Sequence, residues 1–537
     1  MKRKRIRGLC CLLTACFLLM VHVIPAYARP DWPSDTGIQA EAGALLDMDS
    51  GAILLSQNGH VEYPPASITK ILTALIVVES GCNMEDVITF SETAMNSVEA
   101  DSGNKFSLVA GDTMTVEDCL YLMLLQSVNQ AANALAEYTA GSIPDFVEKM
   151  NEKLAQLGCT ESHFENPSGL NGETQNVSAI DMARIGQAAF NNKTVLKISS
   201  TVSYKVGPTT NYPDGIRISN EHRLVITDDA ASQYYYPEAK AGKTGYLQKA
   251  GNTLVTYAEK DGRRLVSVVL KGSGGSPYRQ YFLDGKELLK FGFSRFKNVN
   301  IAENETRYVT GEAPSEIGGV SYLPSELAVE PGRVITLPNN AEFADADLIL
   351  DGLPGEAPEG AVAVLRYVYN ERTIGSAYLM TQEGAAAAAE RIRQAEEAAT
   401  ETAESTEENS GEETTPEETL DGENAGGESG DSTDGEDESS ASTEAGQEEE
   451  ESKPANGEGS SFSLFKSPYL FALIGGVLFA GLAAAGIAWI VYSNKKEAKA
   501  AAERRERRRQ RFLEEGGIKE EEFNRLLEEK RNKGQSK

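Results

Sequence analysis

The chain has 537 residues and a formal net charge of −30, most of which comes from one window, 381–460, with 26 acidic and 3 basic residues. The rest of the chain is only mildly acidic, and nothing in it suggests a nucleic-acid-binding surface, so we expect no nucleic-acid partner. A chain of this length exceeds what one hydrophobic core usually holds, so we expect at least two domains with accessory segments.

Residues 1–28 have the pattern of a secretory signal peptide. Five basic residues precede a long apolar run, and the small-x-small sequence AYA ends at Ala28. The segment Leu13–Cys16, LTAC, resembles a bacterial lipobox, although the apolar run before it is short and the residues after it stay apolar. We therefore predict an exported protein whose mature chain begins near Arg29.

The mature chain retains three cysteines, Cys82, Cys119 and Cys159, with no C-x-x-C spacing. An odd number of cysteines in an exported protein of this size argues against a disulfide framework. We predict that these cysteines are small buried hydrophobic residues.

Residues 29–296 mix strand and helix patterns. Two apolar runs around the turn sequence DMDSG predict a β-hairpin, and a second hairpin is predicted with its turn at Asp261 and Gly262. Apolar helical patterns lie between them, and Thr115-x-x-Asp118 is typical of a helix N-terminus. Strands at both ends with helices between them predict an α+β domain, in which helical layers pack against an antiparallel sheet.

The sequence changes character after residue 296. Short β-rich pieces broken by Gly and Pro predict a small all-β domain over 297–380. Residues 381–467 are rich in Glu, Ser, Thr and Gly and almost lack aromatic side chains, which predicts a disordered acidic linker.

Residues 468–492 form an uncharged apolar run that is long enough to cross a bilayer as a helix. Basic residues crowd the start of the following tail, 493–537, and the positive-inside rule places this tail in the cytoplasm. We expect a single-pass protein of the cell membrane, in contact with membrane lipid, with the residues before the span outside the cytoplasm.

The sequence YPPASITKILTAL contains a serine and a lysine three residues apart, Ser67 and Lys70, which helical spacing places on one face. Ser67 follows two prolines, so we expect it in the first helical turn, where free backbone N–H groups and the helix dipole converge. There, Lys70 can deprotonate the hydroxyl and a backbone N–H can stabilise an oxyanion. The pattern S-x-x-K occurs five times in the chain, and the alternative is a serine cap beside a solvent-directed lysine.

Two further motifs favour chemistry over capping. Ser127 and Asn129 form an S-x-N pattern at a break between two apolar helices, where they can relay a proton and hold a substrate amide, or simply cap the second helix. Lys243, Thr244 and Gly245 form the only Lys-Thr-Gly of the chain, on a predicted strand. The glycine lets a substrate backbone approach, and the lysine and threonine offer hydrogen-bond donors to a carboxylate.

In this order, S-x-x-K, S-x-N and K-T-G resemble the signature of penicillin-binding proteins and serine β-lactamases. The phrases DMDSGAILLSQN, PPASITKILTAL, HFENPSGL and GKTGYLQKAGNTLV resemble the D-alanyl-D-alanine carboxypeptidases of the low-molecular-weight penicillin-binding class, peptidase family S11. The resemblance covers roughly residues 41–296 and implies a penicillin-binding/β-lactamase-like transpeptidase fold. The segment 297–380 resembles the membrane-proximal domain that follows the catalytic domain in these enzymes.

The resemblance implies catalytic roles for three side chains. Ser67 would attack the carbonyl between the two terminal D-alanines of a peptidoglycan stem peptide, with Lys70 as the base. Ser127 would pass a proton to the leaving D-alanine, and the backbone N–H groups of Ser67 and Tyr246 would form the oxyanion hole. Water would then release the acyl-enzyme, and a β-lactam would acylate the same serine.

The resemblance also implies the substrate-binding residues. Asn129 would orient the substrate or Lys70, and Lys243 with Thr244 would hold the terminal carboxylate. Gly245 and Tyr246 would lie beside the bound peptide. Neither a cofactor nor a metal is implied.

Other functions fit the sequence less well. A zinc peptidase would need H-E-x-x-H and a Ser-His-Asp hydrolase G-x-S-x-G, and the chain contains neither pattern. A class A β-lactamase would carry a deacylating glutamate in an E-x-x-L-N context, which is also missing. The alternatives that stay open are a β-lactamase of another kind and a catalytically weak penicillin-binding sensor of the cell wall.

Overall fold

The computed structural model of the chain describes residues 29–99, 102–273 and 279–408. All of these residues belong to the first of the two units into which the chain divides, Met1–Glu418. The predicted signal peptide, membrane span and basic tail fall outside the described residues. Among the helices in these ranges, none is both long enough and apolar enough to cross a membrane.

Most helices lie between residues 66 and 200, most strands lie on either side of that range, and a helix ends the described chain. The strands are β1 (Ala42–Asp47), β2 (Ile53–Gln57), β3 (Val87–Thr89), β4 (Thr113–Thr115), β5 (Ser203–Val206), β6 (Ile216–Ser219), β7 (Ala239–Leu247), β8 (Gly251–Lys260), β9 (Arg263–Gly272), β10 (Phe296–Asn300), β11 (Ser315–Ile317), β12 (Val320–Tyr322), β13 (Leu327–Val329), β14 (Val334–Pro338), β15 (Asp347–Asp351), β16 (Ala361–Tyr369) and β17 (Arg372–Thr381). The helices are α1 (Lys70–Glu79), α2 (Glu92–Asn96), α3 (Val116–Gln126), α4 (Asn129–Ala140), α5 (Ile143–Gln156), α6 (Ala179–Asn191), α7 (Lys193–Ser200), α8 (Arg223–Ile226), α9 (Gln280–Arg295), α10 (Ile301–Asn304) and α11 (Gln382–Glu408), and single 3-10 turns lie at Ala66–Thr69, Pro324–Glu326 and Phe343–Asp345.

A five-stranded antiparallel sheet, in the order β2-β1-β9-β8-β7, forms the centre of residues 29–296. Both predicted hairpins are present, as β1–β2 and β8–β9. The β8–β9 turn has positive φ at Asp261 (50°) and Gly262 (76°), the two central positions of a type I′ turn. Because this turn matches the twist of the flanking strands, the Asp-Gly pair was sufficient to predict it.

Helices cover both faces of this sheet. Val255, Val266 and Val268 belong to one apolar core, which includes α6, whereas Leu254 and Leu265 belong to a second core, which includes α9. Successive side chains of a strand point to opposite faces, so the continuous apolar runs of β8 and β9 fill both cores. The prediction of an α+β domain with an antiparallel sheet between helical layers is confirmed.

Helix α1 lies at the centre of the larger core. Its residues from Lys70 to Val77 are all buried, and it packs against α3, α4, α6 and α7. A helix that is apolar on every side is stable only when neighbours surround it. The helix ends at Glu79, and Gly81, just after the C-cap residue Ser80, has a φ of 75°. The start of α1 is therefore held rigidly inside the domain.

The three cysteines of the described chain are free, as predicted. Cys119 and Cys159 are buried and Cys82 is partly exposed. Burial raises the pKa of both buried thiols, that of Cys159 to about 12, because a thiolate would lose its hydration. These two side chains act as small hydrophobic residues of the core.

Residues 296–381 consist of strands and short helical turns. Strands β13, β17, β16 and β15 form a four-stranded antiparallel sheet, and β10 pairs with β14. Alternate residues of β16, Leu365, Tyr367 and Tyr369, are fully buried. The Tyr369 hydroxyl donates to the Pro30 carbonyl at 2.6 Å, which connects the start of the described chain to this sheet.

Helix α11 corrects one prediction from the sequence. A disordered linker is predicted from residue 381, whereas the structure has a helix over Gln382–Glu408. Alanine, the best helix former, is abundant in its first turns, and Arg393 pairs with Glu390 and Glu397. A lack of aromatic residues excludes a packed core, but local propensity and ion pairs still permit an exposed helix.

The buried carboxylate of Asp284 on α9 tests this account of the fold. It accepts hydrogen bonds from the backbone N–H groups of Gln39 (3.1 Å) and Ala40 (2.8 Å) and from the Gln280 amide (2.9 Å). We expect Asp284→Ala to lower the free energy of unfolding by about 1–3 kcal/mol in urea, because buried donors lose their acceptor. Asp351→Ala removes only an exposed ion pair and should leave the unfolding midpoint unchanged. Equal losses in the two variants would contradict this account.

Candidate active site

Ser67 lies in the 3-10 turn Ala66–Thr69, which leads directly into α1. Ala66 is fully buried and has a φ of 52°, which is unusual for a residue with a Cβ. Thr69 Oγ1 donates to the Ala66 carbonyl at 2.9 Å, and Thr253 Oγ1 on β8 donates at 2.9 Å to the carbonyl that precedes Ala66. Both bonds fix the turn, and Ser67 itself is half-buried.

Lys70, the first residue of α1, is fully buried. Its Nζ lies 2.9 Å from Ser67 Oγ, 2.8 Å from Asn129 Oδ1 and 2.5 Å from the Ser168 carbonyl oxygen. The last two oxygens can only accept hydrogen bonds. A neutral amine has two N–H groups and one lone pair, so when both N–H groups are engaged the lone pair faces the Ser67 hydroxyl. This is the geometry of a nucleophile beside its base.

The pKa of Lys70 is lowered well below its ordinary value, mainly because burial removes the hydration of the ammonium group. The positive charges of Lys243 and Lys105 lower this pKa further, and the negative charge of Glu221 opposes them. A lowered pKa makes the neutral amine available as a base at pH values where an exposed lysine is charged.

The S-x-N motif lies at a helix junction, as predicted. Helix α3 ends at Gln126, α4 begins at Asn129, and Ser127 between them has a left-handed φ of 63°. No side chain caps α4, so the capping alternative is not observed. The junction directs the Asn129 carboxamide to Lys70, and the half-buried Ser127 hydroxyl has no hydrogen-bond partner within the described part of the chain.

The K-T-G motif lies in β7, an edge strand of the sheet, as predicted. A Cβ at Gly245 would lie 2.9 Å from the Ser67 backbone nitrogen, so only glycine permits this approach of β7 to the turn. Tyr246 follows, with 66% of its side chain exposed. An edge strand leaves alternate backbone N–H groups unpaired, and these can bind an extended ligand.

Lys243 is the second buried cation of the site and is only 1% exposed. Its Nζ donates to the Thr244 carbonyl at 2.9 Å. The pKa of Lys243 is lowered to about 8, mainly by burial. The negative charge of Glu221 raises this pKa and the positive charge of Lys105 lowers it, each by less than burial does. Lys243 is therefore mostly charged at neutral pH and can bind an anionic group.

The loop that begins in the phrase HFENPSGL supplies a contact that the motifs do not reveal. Asn166 Oδ1 accepts hydrogen bonds from Ser168 Oγ at 3.0 Å and from the Gly169 backbone at 2.8 Å. Gly169 has a φ of 82°, and a Cβ there would collide with the Ala66 carbonyl. The tight turn presents the Ser168 carbonyl to Lys70. The sequence Asn-Pro-Ser-Gly predicts a turn. It does not predict that the Ser168 carbonyl accepts a hydrogen bond from Lys70, because every residue has a main-chain carbonyl.

The chain is similar to known proteins in both sequence and structure. A family model described as peptidase S11, D-alanyl-D-alanine carboxypeptidase, matches residues 29–274. The D-alanyl-D-alanine carboxypeptidase DacA of Escherichia coli (strain K12) is 33% identical over 296 residues, which are 54% of this chain and 69% of that protein. The D-alanyl-D-alanine carboxypeptidase DacB2 of Mycobacterium tuberculosis is 33% identical over 270 residues, 49% of this chain and 84% of that protein.

Among solved structures, penicillin binding protein 5 from Haemophilus influenzae is similar to this chain. The match covers 66% of this chain and 98% of that one, with 25% sequence identity and a TM-score of 0.50. It therefore extends beyond the half of the chain that holds the three motifs.

The close packing of Gly169 against the serine turn can be tested with a matched pair of variants. Gly158→Ala introduces a Cβ at a φ of 68° in open space, so we expect a cost of about 1–2 kcal/mol in the free energy of unfolding. Gly169→Ala carries the same backbone penalty and adds a collision with a backbone oxygen, so it should cost about 1–3 kcal/mol more. Urea denaturation measures both values, and equal costs would show that Gly169 does not support the turn.

Proposed function

The chain belongs to the D-alanyl-D-alanine carboxypeptidase family, and on this premise we propose that Ser67 is the residue that the substrate acylates. The protein is a serine-type D-Ala-D-Ala carboxypeptidase, which removes the terminal D-alanine from peptidoglycan stem peptides and is acylated by β-lactams. One observation carries the assignment of Ser67: its Oγ lies 2.9 Å from the amine of a fully buried lysine.

In the acylation step, Ser67 Oγ attacks the carbonyl carbon between the two D-alanines while its proton passes to Lys70. This assignment is supported by the lone pair of Lys70, which faces the hydroxyl when Asn129 and the Ser168 carbonyl accept the two N–H groups. The backbone N–H groups of Ser67 and Tyr246 bind the oxyanion of the tetrahedral intermediate. The approach of β7 to the serine turn at Gly245 supports this pairing of donors.

In the next step the C–N bond breaks, and the leaving D-alanine takes a proton through the Ser127 hydroxyl. The absence of an internal partner for Ser127 among the described residues supports this role, because its hydroxyl is free to bond to the leaving amine. Water then attacks the ester with Lys70 again as the base, and Ser67 regains its proton.

Lys243 and Thr244 bind the carboxylate of the terminal D-alanine in this proposal. Burial has removed the hydration of the Lys243 ammonium group. A bound carboxylate replaces that water with a negative charge and hydrogen-bond acceptors, so burial of the lysine favours binding of the carboxylate. Asn129 fixes Lys70, and Gly245 keeps the strand close to the bound peptide.

We also propose the cellular arrangement from the sequence outside the described residues. A signal peptide over 1–28, a membrane span over 468–492 and a cytoplasmic tail over 493–537 would hold the enzyme on the outer face of the cell membrane. Residues 297–380 would form the domain that follows the catalytic domain, and the extent of the likeness to the Haemophilus influenzae structure supports this division.

Ser67→Ala should abolish both D-alanine release from a peptide that ends in D-Ala-D-Ala and covalent labelling by a fluorescent penicillin. Ser102 provides a matched control, because it also begins an S-x-x-K and an S-x-N pattern but donates its hydroxyl to the Glu99 carbonyl at 2.7 Å. Ser102→Ala should retain both activities. Labelling without any D-alanine release by the unaltered protein would instead favour the wall sensor.

The two buried lysines predict a bell-shaped dependence of kcat/KM on pH. Activity rises with pH as Lys70 loses its proton, because only the neutral amine can act as a base. It falls again near pH 8, because Lys243 then loses the charge that binds the carboxylate. In Lys243→Arg the alkaline limb should move to higher pH, because arginine stays charged. An alkaline limb that stays in place in this variant would assign it to another group.

A further inference from the structure

We call the space between the S-x-N junction and β7 the cleft, and the chain that connects β6 to α8 contacts both of these elements. On the helical side, the Gln126 side chain donates to the Ser219 carbonyl beside the S-x-N junction. On the sheet side, His222 packs against β7 so closely that a Cβ at Gly242 would lie 2.6 Å from its Nε2. The segment between these two contacts contains Glu221, which therefore lies between the S-x-N junction and β7.

Lys105 adds a second connection between the S-x-N junction and the segment that contains Glu221. Its Nζ forms an ion pair with Glu221 Oε1 at 2.7 Å and donates to the Gln126 carbonyl at 3.0 Å. The loop that carries Lys105 is also tied to the connection between β5 and β6 by Asn211, whose amide donates to the Ser107 carbonyl at 2.6 Å. These bonds join the segment that carries Glu221 to the loop that carries Lys105, and we call the joined segments the wall.

The wall lies beside the group that we propose binds the substrate carboxylate. His222, the neighbour of Glu221, packs against Gly242, which directly precedes Lys243 in β7. The charges of Glu221 and Lys105 also shift the pKa of Lys243, in opposite directions. The substrate carboxylate that Lys243 binds in the proposed function belongs to the leaving D-alanine. A wall beside Lys243 therefore lies next to the leaving residue of the bound substrate.

We propose that the Lys105–Glu221 bridge forms the outer wall of the pocket for the leaving D-amino acid and limits that residue to the size of alanine. The inference rests on the proposed function of the Ser67 site and assigns the selectivity of that site to two residues outside its motifs. A pocket wall that excludes even one methylene typically discriminates 10–200-fold.

The proposal can be tested by removing the ion pair between Lys105 and Glu221, because its loss should not unfold the protein. The Lys105 and Glu221 side chains are 52% and 36% exposed, and exposed ion pairs add little to stability. Truncation to alanine therefore opens space at the end of the cleft while the two backbone segments stay in place through their other hydrogen bonds.

The experiment compares two peptides with the same N-acylated stem, one ending in D-Ala-D-Ala and the other in D-Ala-D-Leu. In both, Ser67 Oγ forms an ester with the same carbonyl, the amide C–N bond breaks, and the amino acid leaves with a proton. Water then hydrolyses the same ester. A difference between the peptides therefore reports only on the pocket for the leaving residue.

We expect the unaltered protein to have a kcat/KM for the D-leucine peptide at least about tenfold below that for the D-alanine peptide. Lys105→Ala and Glu221→Ala should each raise the ratio of D-leucine to D-alanine release by about tenfold. The double variant should raise it no further, because either change alone breaks the bridge. Asp351→Ala breaks a remote exposed ion pair and should leave the ratio unchanged.

Labelling by a fluorescent penicillin identifies the folded fraction of each variant. Equal rates for the two peptides in the unaltered protein would overturn the inference without any variant, and so would an unchanged ratio in both single variants. If the unaltered protein released neither amino acid, the proposed function would fail together with the inference. D-alanine release with no effect of the bridge would overturn the inference alone.

Discussion

The burial of one amine, Lys70 Nζ, is the constraint on which the rest of the site depends. An ammonium group without water is costly, and the fold offsets that cost in two ways. Three oxygens surround the amine, and its pKa is lowered so that the neutral form is accessible. Because the three oxygens come from the serine turn, the start of α4 and the loop at Ser168, these separate segments must all be in place before the base is formed.

An apolar helix and several residues with positive φ hold these three segments in place around Lys70. Helix α1 is enclosed by other helices, so the first residue of the helix cannot shift without disturbing the core. Around it, Ala66, Ser127 and Gly169 all have positive φ, and each lies at the end of a segment that contributes to the site. Glycine adopts this conformation readily, whereas Ala66 and Ser127 are strained in it. Such strain persists only where the surroundings determine it, and here it lies beside the reacting groups.

Much of this could be predicted from the sequence. The hairpins, the helix junction at Ser127 and the strand that carries Lys243 follow from local patterns, and motif order was sufficient to indicate the chemistry. Two features could not be predicted. The Ser168 carbonyl is a main-chain group whose role depends on tertiary contact, and the bridge between Lys105 and Glu221 joins residues 116 positions apart that belong to no motif. The helix at 382–408 contradicts the predicted linker, because a composition that cannot form a packed core can still form an exposed helix.

The central claim is that the buried lysine activates one particular serine. It is tested most directly by incubating the full chain with a penicillin and locating the covalent adduct by mass spectrometry of its proteolytic fragments. We predict one penicilloyl group per chain, on the fragment that contains Ser67. An adduct on another serine, or a chain that remains unmodified while its fold is intact, would contradict it.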